Sequence, residues 1–259
     1  MIGVFDSGLG GLSSLVPLRR MLPEADIVYL ADTDALPLGE KSDEEIVGRV
    51  LRALGFFSAL GADAVLLACG TASSIFPEEC KAQFTFPIFN IIDPTASAVK
   101  QLPKRAKTVL IATNAAVRSG RFAAALARGN DAVLSLPCPS LVSLAEGKRP
   151  PTDEAIARAV FPLPQLHPDA VVLGCTHFSL LSPALSRLLP HARLFDAAAC
   201  GAAALAAGAH AESVRVGKSA LRFFITGDAR PFEKGASRIL GYPVRAEPIT
   251  LPSPDLFHP

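Results

Sequence analysis

The feature that most constrains this sequence is an apolar run ending at a cysteine, which occurs twice. One run, residues 170–174, leads into Cys175-Thr176-His177, and the other, residues 64–68, leads into Cys69-Gly70-Thr71. Short continuous apolar runs bounded by turn residues are typical of strands buried on both faces of a parallel sheet. Ligands bind such sheets at the carboxyl ends of the strands. The sequence therefore predicts one cysteine at each of two such ends.

The two copies are separated by 106 positions, and the same shift relates a second pair of segments. It places residues 2–7 on residues 108–113, and both segments pass from apolar residues into small polar ones. One shift that aligns two pairs of strand and turn predicts two similar half-chains, which fits an α/β protein built from two domains.

The end of the chain does not belong to either copy of the repeat. Residues 221–226 form one more apolar run, and the segment from there to the end is too short to be a domain. We expect it to return to the first sheet, so that the second domain is an insertion. The predicted division is residues 1–94 plus 210–259 for the first domain and 95–209 for the second.

The hydrophobic pattern also predicts individual elements. Helices are expected from the glycine-rich turn to about Met21, from the capping box of Ser42 and Glu45 to about Leu60, over residues 197–211, and up to about Leu240. Strands are expected at residues 2–5, 26–31, 64–68, 88–91, 108–112, 132–136, 171–174, 193–195 and 221–226.

Charge and composition exclude several classes of protein. The net charge is +1 and the chain has no basic run, so we expect no nucleic-acid partner. The sequence has no charged leader and no apolar segment long enough to span a bilayer, so we expect no signal peptide and no membrane partner. Five cysteines without dense spacing fit a reducing cytoplasm. The sequence does not decide whether the chain forms a homodimer.

The glycine-rich turn at residues 6–11 follows a predicted strand and invites comparison with dinucleotide-binding loops. The third glycine of that motif is replaced by Ser13, at the point where the glycine permits close packing of helix and strand. A loop of this kind can instead hold a small anion on free N–H groups, and we favour a carboxylate. A plain tight turn explains the glycines, but it explains the preceding Asp6-Ser7 less well.

Cysteine chemistry leaves several interpretations open. Cys80, Cys138 and Cys200 are most simply small buried hydrophobic residues. Cys175 and His177 supply only two of the four ligands of a structural zinc site, so we predict no metal site. A cysteine-protease site would leave the second strand-end cysteine unused.

Two thiols that face each other across a cleft suit the inversion of a carbon centre. One base removes a proton from one face, and an acid supplies a proton to the other. A free thiol has a pKa near 8.5, so each cysteine needs a neighbour that favours proton transfer. Asp6 is placed to assist one cysteine and His177 the other, and Thr71 and Thr176 could hold a carboxylate.

Four motifs give the chain a resemblance to glutamate racemase, of the aspartate/glutamate racemase superfamily. The resemblance extends over essentially the whole chain, with support from residues 29–32 and 226–228. The paired cysteine motifs and Asp6-Ser7-Gly8 are its most specific part. The motifs lie at residues 5–11, 68–73, 139–147 and 173–178.

The resemblance implies two similar doubly wound α/β domains with mainly parallel sheets and an active site at the domain interface. It also implies that the enzyme interconverts L- and D-glutamate without a cofactor and supplies D-glutamate for peptidoglycan. The catalytic residues that it implies are Cys69, Cys175, Asp6, His177 and Glu146. The substrate-binding positions that it implies are Asp6, Ser7, Leu38, Gly39, Gly70, Thr71, Thr113, Thr176 and His177.

Three departures from the family pattern bear on the substrate. Gly70 replaces an asparagine, Leu38 a tyrosine and Ala116 a threonine, so each position loses a hydrogen-bonding side chain. An unpaired buried polar group costs about 1–3 kcal/mol, so restoring Gly70→Asn and Ala116→Thr is expected to raise kcat/KM for glutamate. Two alternatives stay open: a racemase or isomerase for a less polar amino or carboxylic acid, and a catalytically weak binding or regulatory protein.

Overall fold

The computed structural model describes residues 1–103, 105–127, 133–147, 149–208 and 218–251. Within these ranges the chain forms a mixed α/β structure with two parallel sheets. The strands are β1 (Ile2–Asp6), β2 (Ile27–Ala31), β3 (Ala64–Leu67), β4 (Ile88–Phe89), β5 (Thr108–Ala112), β6 (Val133–Pro137), β7 (Ala170–Leu173), β8 (Arg193–Asp196), β9 (Leu221–Ile225) and β10 (Ala246–Pro248).

The larger sheet has six strands in the order β10-β9-β2-β1-β3-β4, and the smaller has four in the order β6-β5-β7-β8. The 106-residue shift relates β1–β4 to β5–β8 with their pairing preserved. Ile2 pairs with Ile27 and Ala64, and Thr108 pairs correspondingly with Val133 and Ala170. The predicted repeat is therefore confirmed and extends over all four strands of each half.

The end of the chain returns to the first sheet, as predicted, because β9 runs parallel to β2. β10, which the sequence did not predict, adds an edge strand beside β9. β4 is shorter than expected because Asn90 turns the chain: its side-chain oxygen accepts hydrogen bonds from the backbone N–H groups of Ile92 and Asp93.

Twelve helices are present in the described ranges. The predicted cap of α2 is confirmed, since the Ser42 hydroxyl accepts a hydrogen bond from the N–H of Glu45. The helices are α1 (Leu12–Met21), α2 (Asp43–Ala59), α3 (Gly70–Ile75), α4 (Ile92–Val99), α5 (Asn114–Ser119), α6 (Arg121–Ala127), α7 (Ser140–Glu146), α8 (Asp153–Ala159), α9 (Thr176–Ser179), α10 (Ser182–Leu188), α11 (Ala197–Ala207) and α12 (Ala229–Leu240).

Two of the predicted boundaries fall at or within helices of the structure. The alanine-rich helix was expected over residues 197–211, but α11 ends at Ala207 and is followed by Gly208, and residues 209–211 lie outside the described residues. The predicted domain boundary between residues 94 and 95 falls within α4. The division into domains, whose other boundary lies at residue 210, stays a prediction.

Three apolar clusters hold the sheets and helices together. One lies between the two sheets and joins residues of both, for example Leu12 and Leu15 of α1 with Leu110 and Val172 of the second sheet. The second lies beneath α2, and the third covers the other face of the second sheet. The two halves therefore meet across a continuous apolar core beside the strand ends. No helix in the described ranges has the length and apolar character needed to cross a membrane.

Candidate active site

Cys69 and Cys175 occupy equivalent places at the carboxyl edges of the two sheets. Each is buried and directly precedes the first turn of a short helix, α3 for Cys69 and α9 for Cys175. The residues that precede the cysteines make equivalent hydrogen bonds of 2.9 Å. Ala68 N–H donates to Phe5 O, and Gly174 N–H donates to Ile111 O. The two cysteines are thus presented by matching backbone turns.

Both thiols line one cavity between the two sheet edges. The cavity combines thiol, hydroxyl, carboxylate and amide groups with an apolar wall. Its lining residues are Ser7, Leu36, Pro37, Leu38, Gly39, Glu40, Cys69, Thr71, Thr113, Asn114, Pro139, Val142, Ser143, Cys175 and His177.

The surroundings of Cys69 favour its protonated form. Burial and the nearby Asp6 carboxylate raise the pKa of the Cys69 thiol to about 12. Its sulfur lies 3.8 Å from the Ser7 hydroxyl oxygen. In this state Cys69 is a proton donor.

Cys175 stands at the end of a chain of polar side chains. Its sulfur is 3.8 Å from His177 Nδ1, and His177 Nε2 is 2.6 Å from Glu146 Oε1. The same Glu146 oxygen accepts a hydrogen bond of 2.9 Å from the Leu9 N–H, which fixes the carboxylate against the glycine-rich loop. A cationic imidazole beside a thiol favours the thiolate.

The ionisation of this chain of groups follows from burial and from charge. Burial alone would lower the pKa of His177, but its contacts with Cys175 and Glu146 raise that pKa well above 6.5. Burial would raise the pKa of Glu146, but the bond to His177 and the charge of His177 lower it below its ordinary value. Glu146 and His177 therefore form an ion pair, which holds a positive charge next to Cys175.

Asp6 links the two halves of the site. Its carboxylate accepts a hydrogen bond of 3.0 Å from the Gly8 N–H and one of 2.9 Å from the Thr176 hydroxyl. Burial raises the pKa of Asp6, although the charge of His177 opposes this effect. Because Thr176 is adjacent to Cys175, this bond ties the carboxyl end of β1 to the second cysteine turn.

Thr71 and Thr113 form a second link across the cavity. Their hydroxyl oxygens are 2.8 Å apart, and Thr113 also accepts a hydrogen bond from the Ala116 N–H at the start of α5. Either hydroxyl can turn toward a ligand, since each carries one proton and two lone pairs.

The predicted site residues come together, although not all of them face the cavity. Ser7, Leu38, Gly39, Cys69, Thr71, Thr113, Cys175 and His177 line it. The other four predicted positions are Asp6, Gly70, Glu146 and Thr176. Asp6, Glu146 and Thr176 support the lining residues through the hydrogen bonds given above, and Gly70 packs against the second cysteine turn.

Sequence reasoning did not assign seven residues of the cavity wall to the site: Leu36, Pro37, Glu40, Asn114, Pro139, Val142 and Ser143. Asn114 could have been found, because the 106-residue shift already marked Thr113 as a strand end and Asn114 follows it. Leu36 and Glu40 flank the predicted Leu38 and Gly39. Pro139, Val142 and Ser143 lie in the motif at residues 139–147, but the local sequence does not show which of its side chains face the cavity.

The three departures from the family pattern occupy different surroundings. Leu38 lines the cavity, whereas Ala116 is buried in α5 and does not. A Cβ atom added at Gly70 would overlap the carbonyl oxygen of Gly174. An asparagine at residue 70 therefore requires the two backbones to move apart, and the expectation that Gly70→Asn improves glutamate turnover stays a prediction.

The glycine-rich loop packs directly on the second half of the chain. A Cβ added at Gly10 would overlap the Thr176 hydroxyl oxygen and lie 2.7 Å from His177 N. The loop thus brings β1 close to the second cysteine turn.

Among the described residues, no group of three or more histidine, cysteine or acidic side chains is arranged to hold a metal ion.

Two parallel α/β sheets that each bring a thiol to one cavity place this chain among the isomerases that act as amino-acid racemases, and comparison with known proteins agrees. The model of the Asp/Glu/Hydantoin racemase family matches residues 16–205. The chain belongs to this family.

Individual relatives confirm the resemblance to glutamate racemases. A glutamate racemase of Desulforudis audaxviator is 32% identical over 96% of this chain and 96% of its own length. The crystal structure of a glutamate racemase from Bacillus anthracis matches with a TM-score of 0.89, 28% identity and 98% coverage of both chains. A glutamate racemase of Francisella tularensis, solved in complex with D-glutamate, matches with a TM-score of 0.85 and 26% identity, covering 96% of this chain and 97% of the other.

Proposed function

We propose that this protein interconverts L- and D-glutamate by a two-thiol reaction that requires no cofactor. The observation that carries the proposal is that Cys69 and Cys175, at equivalent ends of two repeated sheets, line the same cavity. Support for glutamate comes from the relatives, which are glutamate racemases, one of them with D-glutamate bound.

The reaction begins with one cysteine as thiolate and the other as thiol. The Cys175 thiolate takes the Cα proton of one enantiomer, and the electron pair of the broken C–H bond delocalises toward the substrate carboxylate. The Cys69 S–H then donates its proton to the opposite face of the planar carbon. The product leaves with Cys175 protonated and Cys69 ionised, and the opposite enantiomer reacts through the same steps in reverse.

The neighbouring side chains make the two thiols unequal before substrate binds. His177, charged and paired with Glu146, lies 3.8 Å from the Cys175 sulfur, which suits Cys175 to act as the first base. Burial and Asp6 keep Cys69 protonated. When Cys69 loses its proton, the same environment makes it a strong base, which suits abstraction of a weakly acidic Cα proton in the reverse direction.

We further propose that hydroxyl and backbone groups hold the substrate. Ser7, Thr71 and Thr113 are the candidates for hydrogen bonds to its carboxylates, with Leu38 and Gly39 at the cavity wall, and Thr176 supports them through its bond to Asp6. We assign the enzyme to the cytoplasm, where D-glutamate would be supplied for peptidoglycan.

The test is a racemisation assay on purified, dialysed protein in the presence of a chelator. Loss of optical activity is followed for both enantiomers of glutamate, aspartate, alanine, leucine and methionine. We expect glutamate to be turned over fastest and without any added pyridoxal phosphate, nucleotide or metal. Activity that depends on one of these additions would refute the proposal, as would inactivity toward the whole panel.

A second candidate substrate is a less polar amino acid, and two features of the cavity favour it. Leu36, Leu38 and Val142 give the cavity an apolar wall. No lysine or arginine lies among its described lining residues, and the charge of His177 is already paired with Glu146, so a second substrate carboxylate would have no unpaired cation there. In the same assay, a higher kcat/KM for leucine or methionine than for glutamate would establish this alternative.

A further inference from the structure

Gly70 lies at the point where the backbones of the two cysteine turns meet. It follows Cys69 directly and is the first residue of α3. A Cβ atom added at Gly70 would overlap the Gly174 carbonyl oxygen, and it would lie 3.0 Å from the Gly174 carbonyl carbon and 3.3 Å from the Cys175 Cα. All three are backbone atoms, so no change of side-chain rotamer relieves the overlap.

The turn on the other side has little room to move back. Gly174 N–H donates a hydrogen bond of 2.9 Å to Ile111 O on β5. A Cβ placed on Gly174 itself would lie 2.7 Å from Leu110 Cδ1, which shows how closely β5 packs behind this turn. A side chain at residue 70 must therefore push two backbone segments apart, and each of these segments carries a thiol.

We propose that Gly70 is a positioning residue, which sets the separation of the Cys69 and Cys175 turns so that both thiols reach the same carbon atom. The inference rests on the proposed two-thiol reaction and adds a requirement to it. The family pattern has an asparagine at this position, whereas this chain has no side chain there.

The expected effect is on proton transfer more than on binding. Relieving the overlap requires the turns to separate by about 1 Å, and a misplacement of about 1 Å can cost on the order of 10²-fold in rate. One thiol of a separated pair can still exchange the Cα proton with solvent, but it cannot complete the inversion alone. Widening therefore lowers kcat and raises the ratio of exchange to inversion.

The experiment compares Gly70→Ala with Gly48→Ala. Gly48 lies within α2, and an added Cβ there meets no atom within 4 Å, so it is a matched control for the glycine-to-alanine change. For each variant, kcat, KM and the incorporation of deuterium at Cα in D₂O are measured from both enantiomers. A crystal structure of the Gly70→Ala protein gives the separation of the two turns.

We expect Gly70→Ala to lose about 10²-fold in kcat with at most a few-fold change in KM, because a misplaced group slows the chemical step. Exchange without inversion should rise, and the two turns should move apart. Gly48→Ala should match the wild type.

Two results in Gly70→Ala would overturn the inference while leaving the proposed function intact. One is a wild-type kcat with a wild-type exchange ratio, and the other is a loss confined to KM. A wild-type protein that racemises no amino acid would refute the proposed function itself, and the inference with it.

A second variant covers the case in which Gly70→Ala does not fold. Leu110→Val shortens the side chain behind Gly174, so Gly70→Ala/Leu110→Val gives the second turn room to recede. We expect this double variant to fold and to show the loss of kcat relative to Leu110→Val alone. If the double variant folds and retains the kcat of Leu110→Val, the inference is overturned. It is also overturned if the double variant fails to fold while Leu110→Val folds as the wild type does.

Discussion

His177 Nε2 and Glu146 Oε1 are joined by a hydrogen bond of 2.6 Å that connects the second cysteine turn to the carboxyl end of α7. Because the same oxygen accepts the Leu9 N–H, one carboxylate contacts both halves of the chain. Its charge keeps the imidazole protonated, and the imidazole in turn contacts the Cys175 sulfur. The readiness of Cys175 to act as a base therefore depends on a residue that does not line the cavity.

Replacing Glu146 by glutamine tests this dependence. Glutamine keeps the size and one acceptor but removes the charge, so the pKa of His177 falls. We expect the alkaline limb of the pH profile to move to lower pH, and on that limb kcat should be about tenfold lower for each unit by which the pKa of His177 falls. The measurement is kcat against pH for wild type and Glu146→Gln. Glu24→Gln, an exposed change distant in sequence from the site motifs, is the control. An unshifted alkaline limb in Glu146→Gln would show that the pair does not set the charge state.

The same pair makes stability depend on pH. The pKa of His177 is raised above 6.5 in the folded protein, so its contribution is complete below pH 6.5 and is lost as the pH rises through the raised value. The pKa of Glu146 is lowered below 4.5, so its contribution is present above pH 4.5 and is lost as the pH falls through the lowered value.

We therefore expect the difference in unfolding free energy between wild type and His177→Gln to be larger at pH 6 than at pH 10. Urea unfolding at both pH values measures it. A difference that grows toward pH 10 has the wrong sign for a raised histidine pKa and would contradict the ion pair.

A buried ion pair anchors the carboxyl edge of the first sheet. Asp32, which follows β2, is fully buried, and its Oδ1 accepts hydrogen bonds of 2.9 Å from Arg49 Nη1 and from the Thr226 hydroxyl. Removing one partner of a buried pair costs about 3–5 kcal/mol, and the lower end applies here because Arg49 is partly exposed and keeps a contact of 3.5 Å to Glu45. We expect Asp32→Asn to lose stability on this scale in urea unfolding. Asp153→Asn breaks the exposed pair with Arg187 and should have no measurable effect. Equal stability of the two variants would show that the Asp32 pair is not an anchor.

Much of the fold could be predicted because its signals are local. Continuous apolar runs marked the strands, the Ser42 cap marked the start of α2, and the 106-residue shift revealed the repeat. Short helices such as α8 and α10, each of seven residues, were missed because their sequences carry no sustained period. β4 was predicted too long because the side chain of Asn90 ends it, which apolar periodicity does not detect.

The site was harder to predict because it depends on contacts between the halves. The two cysteine turns were visible in the sequence, since each follows its own strand. The approach of Glu146 to Leu9, which is 137 positions away in the sequence, was not visible from the residues. The close packing of Gly70 on Gly174 was not visible either. From the sequence, the glycine indicated only that a hydrogen-bonding side chain is absent. Distances across the interface required the three-dimensional structure.

The most direct test of the two-thiol account is racemisation by Cys69→Ser and Cys175→Ser, measured from each enantiomer of glutamate in D₂O, with Cys138→Ser as the control. Cys138 is buried but does not line the cavity. Serine keeps a proton but is a far weaker acid, so each strand-end variant should lose racemisation in both directions by at least about 10²-fold, the contribution of one general acid or base. Cys138→Ser should retain activity. Wild-type racemisation rates in either Cys69→Ser or Cys175→Ser would contradict the account.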